Sequence, residues 1–179
     1  KICFGVSNSY DPNMKEVYPA EVPEKFNGWL TYTVHFQNTG NAAAYDIKVR
    51  DTLGKNLDAE TFEVLSSSHP VITSLNDRAI SFKFKDIMLP DSHTNNAGSN
   101  GFVQYRIKPK ANLPAGTKIS NTAYIYFDFN AAVVTNTTTN RYFSHDASLR
   151  PGLATSAIRT YPNPASGKVF ISSADLFSL

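Results

Sequence analysis

Asp11, Asn13, Asp128 and Asn130 are the residues whose types and spacing could hold a cation. Asp11-Pro12-Asn13 forms a turn, and Asp128 and Asn130 follow a strand in FDFN. Calcium takes six or more hard oxygens, and two such turns in a β-sandwich can supply several of them. The same Asp-Pro-Asn triplet also makes a turn without an ion, through side-chain bonds to nearby backbone amides. Tyr124 and Tyr126 alternate on a single strand and face away from its apolar side. They form a candidate ligand strip, because aromatic faces stack on sugars and on protein partners. The competing role is packing, with the hydroxyls wet.

Enzymatic constellations are poor. His35, His69, His93 and His145 stand in no metal-ligand spacing with a second His or Cys. Ser144-His145-Asp146 contains the residue types of a triad, but adjacency in sequence does not make one. There is no Gly-x-Ser-x-Gly elbow and no phosphate-cradling loop. The predicted class is therefore a non-enzyme, with no catalytic residues assigned. Net charge is +2 over 179 residues, without a Lys/Arg cluster, which argues against a nucleic-acid partner. No apolar run approaches the ~18 residues of a membrane span. The single cysteine, Cys3, has no partner within the chain and reads as a small buried residue.

The elements that must position these residues are strands. Leu30, Tyr32, Val34 and Phe36 share one face of WLTYTVHFQ, and His35 takes the other. AYDIKVRD places Tyr45, Ile47 and Val49 inward and Asp46, Lys48 and Arg50 outward. Ile80, Phe82 and Phe84 share a face, as do Val103, Tyr105 and Ile107. ISNTAYIYF aligns Ile119, Asn121, Ala123, Ile125 and Phe127. Weaker strands are expected near Ile2–Val6, Phe62–Leu65, Val71–Ser74 and Val133–Tyr142. LDAETFEVL is the best helical candidate and reads equally as a turn followed by a strand. Each run has one apolar and one polar face, as a sheet that is wet on one side requires. The expected fold is all-β: an immunoglobulin-like antiparallel sandwich over residues 1–143. Residues 144–158 are small, polar and broken by Pro151-Gly152, and read as a linker. Residues 159–179 read as the first strand or strands of a second small β-domain, incomplete where the chain stops. With Lys1 at its start, the sequence reads as a piece of a longer or processed chain.

YPNPASGKVFI, Tyr161–Ile171, closely resembles the opening of the type A C-terminal sorting domain of the Bacteroidota type IX secretion system. In that family Tyr-Pro-Asn-Pro leads into the first strand of a small sandwich that serves as an export address. The resemblance covers Tyr161 to about Ser173. It assigns recognition to Tyr161, Pro162, Asn163 and Pro164, with Val169 and Ile171 on the first strand. It implies as partners the outer-membrane translocon, its shuttle barrel and the sortase, and a location at the cell surface or outside the cell. The prolines pre-set an extended backbone, which lowers the ordering cost of docking. YDPNMKEVYP, the run from Trp29 to Asp58, FEVLSSSHPV and AYIYFDFN resemble an immunoglobulin-like module that precedes such sorting domains, over most of residues 8–140. That family usually has Asp where this chain has Met14. These modules look like spacers or stalks, so the expected function is a spacer in an exported surface protein. The alternative is an adhesin or carbohydrate-binding sandwich. Asp51-Thr52-Leu53 also resembles the Bacteroidota O-glycosylation sequon, which makes Thr52 a candidate acceptor. Asn136-Thr137-Thr138 fits the N-glycosylation pattern, which a bacterial source would leave idle.

Overall fold

Strands with one apolar face must bury it against another layer, and this chain does so with two sheets packed face to face. The structure, a computed structural model, describes residues 11–144, 159–161 and 170–172. The strand expected at Ile2–Val6, with Cys3, lies outside the described residues, as do His145 and Asp146. Every described element is a strand. The chain divides into two compact units, Lys1–Ser144 and His145–Leu179.

In the first unit, β1 (Lys15–Tyr18), β3 (Leu30–Gln37), β8 (Asn100–Pro109) and β5 (Leu57–Ser67) form an antiparallel sheet in that order. The opposing sheet runs β11 (Val133–Val134), β10 (Ala123–Phe127), β4 (Ile47–Thr52), β7 (Ala79–Phe84) and β6 (Ile72–Asn76). A third sheet places β12 (Thr138–Phe143) between β2 (Glu21–Pro23), its parallel neighbour, and β9 (Lys118–Asn121), its antiparallel one. The chain leaves the first sheet for the third at the cis peptide Tyr18–Pro19. It leaves the third for the second at Thr122, the one residue between β9 and β10.

The expected inward faces are the buried ones. Leu30, Tyr32, Val34 and Phe36 of β3 alternate with half-buried neighbours, and Val103, Tyr105 and Ile107 do the same on β8. Phe36 meets Phe84 of β7 edge-on at 5.1 Å, and Tyr105 lies 5.7 Å from Phe82. These aromatic pairs join the two sheets. On the outer face of the first sheet, the ring of Trp29 carries Arg106 at 4.2 Å and Lys108 at 4.9 Å.

Two expectations need correction. LDAETFEVL forms neither a helix nor a turn followed by a strand; it lies entirely within the 11-residue β5. Its register on β8 slips between Asp58 and Glu63 and between Val64 and Ser66. At the first slip the Thr61 hydroxyl donates to the Asp58 carbonyl at 2.7 Å and accepts from Lys108 N–H at 2.8 Å. A side chain thus completes the ladder across the extra residues, and the strand tolerates a sequence that looks locally helical. Tyr45 is not inward: it is 56% exposed. Strand β4 begins only at Ile47, and the backbone before it turns onto Asp128, whose Oδ1 accepts the amides of Tyr45 (2.8 Å) and Asp46 (2.7 Å).

In the second unit, β13 (Arg159–Tyr161) pairs antiparallel with β14 (Phe170–Ser172), with Tyr161 opposite Phe170 and Thr160 opposite Ile171. A strand therefore ends on Tyr161, the first residue of Tyr-Pro-Asn-Pro, and the strand holding Ile171 returns against it.

Candidate functional site: a buried amine, carboxylate, phenol and carboxamide

Four side chains of unlike chemistry meet between the sheets. Lys15 opens β1 in phase with Val17 and faces inward. Asp51 continues the inward phase of Ile47 and Val49 on β4. Tyr105 sits between Val103 and Ile107 on β8. Asn121 ends β9, two residues before Ala123, whose register partner on β4 is Asp51. The Lys15 and Asp51 side chains have no solvent exposure and form an ion pair through Nζ and Oδ2. The Tyr105 hydroxyl donates to the same Oδ2 at 2.6 Å. It also receives Lys15 Nζ and Asn121 Nδ2, each at 3.2 Å. The amine lies over the rings of Tyr32 (4.9 Å) and Tyr105 (5.6 Å), which stack on one another with centroids 5.2 Å apart. Asp51 Oδ1 and Asn121 Oδ1 are buried without a protein hydrogen-bond partner.

The strand carrying Lys15 is pinned in place. Asn136 accepts Lys15 N–H at 2.8 Å and donates to the Lys15 carbonyl at 2.9 Å. Asn140, fully buried on β12, accepts the Tyr32 hydroxyl at 2.9 Å and donates to the Pro19 carbonyl at 2.6 Å. Its two bonds hold the core tyrosine and the corner after β1 together.

Burial governs the protonation of this cluster. Loss of hydration lowers the Lys15 amine from its usual range, against the opposing pull of the Asp51 charge and hydrogen bond. Burial likewise raises the Tyr105 phenol well above its ordinary value, and the Asp51 charge adds to the effect. Tyr32 is raised by burial and then by Asp51. Tyr142 is pushed up to about 12 by burial. Unfolded tyrosines ionise near pH 10, so all three bind their protons more tightly in the folded state. Their contribution is complete below pH ~10 and is lost as pH rises above it, at up to about 1.4 kcal/mol per pH unit for each tyrosine. Urea unfolding at successive pH values should therefore show stability falling above pH ~10. Phenolate absorbance from these three residues should appear together with unfolding.

The residues expected from sequence to carry chemistry are differently placed. Asp51 is 1% exposed and paired with Lys15, because it falls on the inward phase of β4. Thr52 beside it is exposed. Asp11 Oδ1 accepts Asn13 N–H at 2.9 Å, and Asn13 Oδ1 accepts Gln37 N–H at 3.1 Å. Asp128 Oδ1 is occupied by the two amides before β4, and Asn130 is exposed. Thus three of the four candidate calcium ligands have an oxygen bonded to backbone amides. Tyr124 is 41% exposed, while Tyr126 is half-buried with Lys48 Nζ 4.7 Å above its ring. His35, outward as expected, meets Glu16 at 3.2 Å. Tyr161 and Ile171 lie on the paired strands β13 and β14, whereas Pro162, Asn163, Pro164 and Val169 lie outside the described residues.

The sequence motifs assign no site role to Lys15 or Asn140, read Asn136 only as an N-glycosylation pattern, and place Tyr105 and Asn121 only on apolar faces. The signal was available in the phase of alternation. Counting by twos puts Lys15 with Val17, Asp51 with Ile47 and Val49, and Asn121 with Ile119 and Ala123. Buried polar residues on three different strands are expected to meet one another.

Strand order defines an immunoglobulin-like antiparallel β-sandwich. The chain belongs to the family described as Domain of unknown function (DUF7619), which matches residues 11–141. Among solved structures it is similar to the N-terminal domain of the Streptococcus gordonii adhesin Sgo0707 (22% identity, TM-score 0.57), covering 74% of this chain and 33% of that one. A variant of BcpA, the major pilin subunit of Bacillus cereus, is 14% identical with TM-score 0.54, over 73% of this chain and 39% of that one. Two domains of the major pilin SpaD from Corynebacterium diphtheriae are 19% identical with TM-score 0.52, over 70% and 50%. This chain thus spans a third to a half of the length of those neighbours. No curated protein matches it.

Proposed function

We propose that the sandwich is a non-enzymatic module of a bacterial surface or secreted protein, and that it spaces or presents other domains. The segment beginning at Tyr161 would be its type IX sorting signal, recognised by the translocon, shuttle barrel and sortase. The observation that carries the module reading is the fold, a sandwich similar to adhesin and pilin domains with its apolar faces sealed against each other. The export reading is supported by Tyr161-Pro162-Asn163-Pro164 itself and by the pairing of β13, which ends on Tyr161, with β14.

The test uses the full-length native chain in its own host, with Pro162→Ala, Asn163→Ala and Pro164→Ala combined. Periplasmic retention of a folded variant is expected. Normal surface delivery would reduce the segment to a linker turn.

A second reading, ligand binding by the sandwich, is favoured by one surface feature. The side chain of Phe129 is fully exposed, and with Tyr45, Asp46 and Asp128 it lines a concavity beside β4 and β10. That reading predicts saturable binding by residues 1–143 to a glycan or protein, weakened by Phe129→Ser. The spacer reading predicts none.

A further inference from the structure

We propose that Lys15 and Asn121 become joined by an amide bond between Lys15 Nζ and the side-chain carbonyl carbon of Asn121, with Asp51 carrying the proton between them. The inference rests on the buried cluster and is independent of the export reading.

Each reactant is in a suitable state. The amine has no contact with solvent, and burial lowers its pKa, which favours the neutral, nucleophilic form. Asp51 Oδ2 is bonded to that amine and takes up its proton. The Tyr105 hydroxyl holds both nitrogens, Lys15 Nζ and Asn121 Nδ2, at 3.2 Å each, so amine and carboxamide flank one anchor. The stacked rings of Tyr32 and Tyr105 wall the amine off from competing water.

The step balances without any co-reactant. The neutral amine attacks the Asn121 carbonyl carbon and forms the new C–N bond. The Asn121 C–Nδ2 bond then breaks. The departing nitrogen takes the proton that Asp51 accepted from Lys15 and leaves as ammonia. An amine and a primary amide become a secondary amide and ammonia, with no change in oxidation state. Counted from the ion pair, the three ammonium protons go one to the new amide N–H, one to the departing nitrogen and one to Asp51, which ends protonated.

The product also accounts for the two orphaned oxygens. Asp51 Oδ1 and Asn121 Oδ1 are both buried without partners, a costly arrangement in a native core. A proton on Asp51 Oδ1 donated to the new amide carbonyl would satisfy both at once, while the amide N–H donates to Oδ2. Topology gives the bond a purpose. Lys15 begins β1, the edge strand of the first sheet, and Asn121 ends β9 where the chain crosses into the second. The bond closes a covalent ring over residues 15–121, so force on the N-terminal strand would reach β9 without peeling β1 from β3.

The test is intact-mass analysis of the purified full chain, followed by tryptic mapping. The expected mass is that of the sequence less one ammonia, with no cleavage after Lys15 and a branched peptide containing Lys15 and Asn121. Lys15→Met and Asn121→Ala should each restore the full mass expected for the variant. Asp51→Ala should do so with both reactants still present. Full sequence mass in the parent, with Lys15 and Asn121 in separate peptides, overturns the proposal even if no variant folds. Loss of ammonia without a branched peptide, as in succinimide formation, also overturns it. Loss of one water with Lys15 linked to Asp51 overturns the choice of acceptor.

Discussion

Asp51→Ala should be among the most damaging single substitutions in this sandwich. Removing one partner of a buried ion pair typically costs about 3–5 kcal/mol, because the other charge stays buried and uncompensated. Here the stranded group is Lys15, whose side chain is wholly enclosed. The same change removes the proton carrier for the proposed bond, and a covalent ring of about 100 residues contributes about 4–5 kcal/mol in the chain-entropy account. Together these approach the whole stability of an ordinary domain, about 5–15 kcal/mol. Combining Asp51→Ala with Lys15→Met separates the two effects. The methionine removes the stranded charge at similar volume, so the double variant should recover the ion-pair part and still unfold at lower urea than the parent. Full recovery would assign the entire loss to the charge and count against the ring.

Tyr105 should show the second large effect, split by the choice of replacement. Its ring stacks on Tyr32 and lies within 5.5 Å of Phe62 and 5.7 Å of Phe82, so it fills space shared by both sheets. Tyr105→Ala should cost about 3–5 kcal/mol through lost burial and the cavity left behind. Tyr105→Phe keeps the ring but deprives Asp51 Oδ2 of a donor and the Asn121 carboxamide nitrogen of the oxygen it donates to. It should cost about 1–3 kcal/mol, the usual penalty for stranding buried polar atoms. Equal midpoints for the phenylalanine variant and the parent in urea would show that the hydroxyl does not hold the cluster together. The phenylalanine variant should also form the Lys15–Asn121 bond more slowly, since the hydroxyl is the shared anchor of the two nitrogens.

Alternation alone predicted which faces of β3, β7, β8 and β10 are buried, because period two is a local property that every inward residue obeys. It failed where local pattern and tertiary pairing disagree. LDAETFEVL carries a mixed pattern, and its extended form depends on β8 and on the Thr61 hydroxyl, which lie outside any short window. Tyr45 kept the inward phase of Ile47 and Val49, but the backbone leaves the sheet before it to reach Asp128, 82 and 83 residues away from the amides it accepts.

The polar cluster shows the division most clearly. Lys15, Asp51 and Asn121 each stood at an inward phase, and their chemical types were plain in the sequence. A buried charge needs a partner, so their meeting follows from physics once burial is granted. Their mutual distances do not, because they depend on strand order: β1 at one sheet edge, β4 within the opposing sheet, and β9 at the crossing between sheets. The sequence by itself determined an all-β chain, its inward faces and the sorting-like segment at Tyr161, since each is written in neighbouring residues. Only the tertiary structure decided that an amine, a carboxylate and a carboxamide share one water-excluded space, because long-range pairing brought together residues 36 to 106 positions apart.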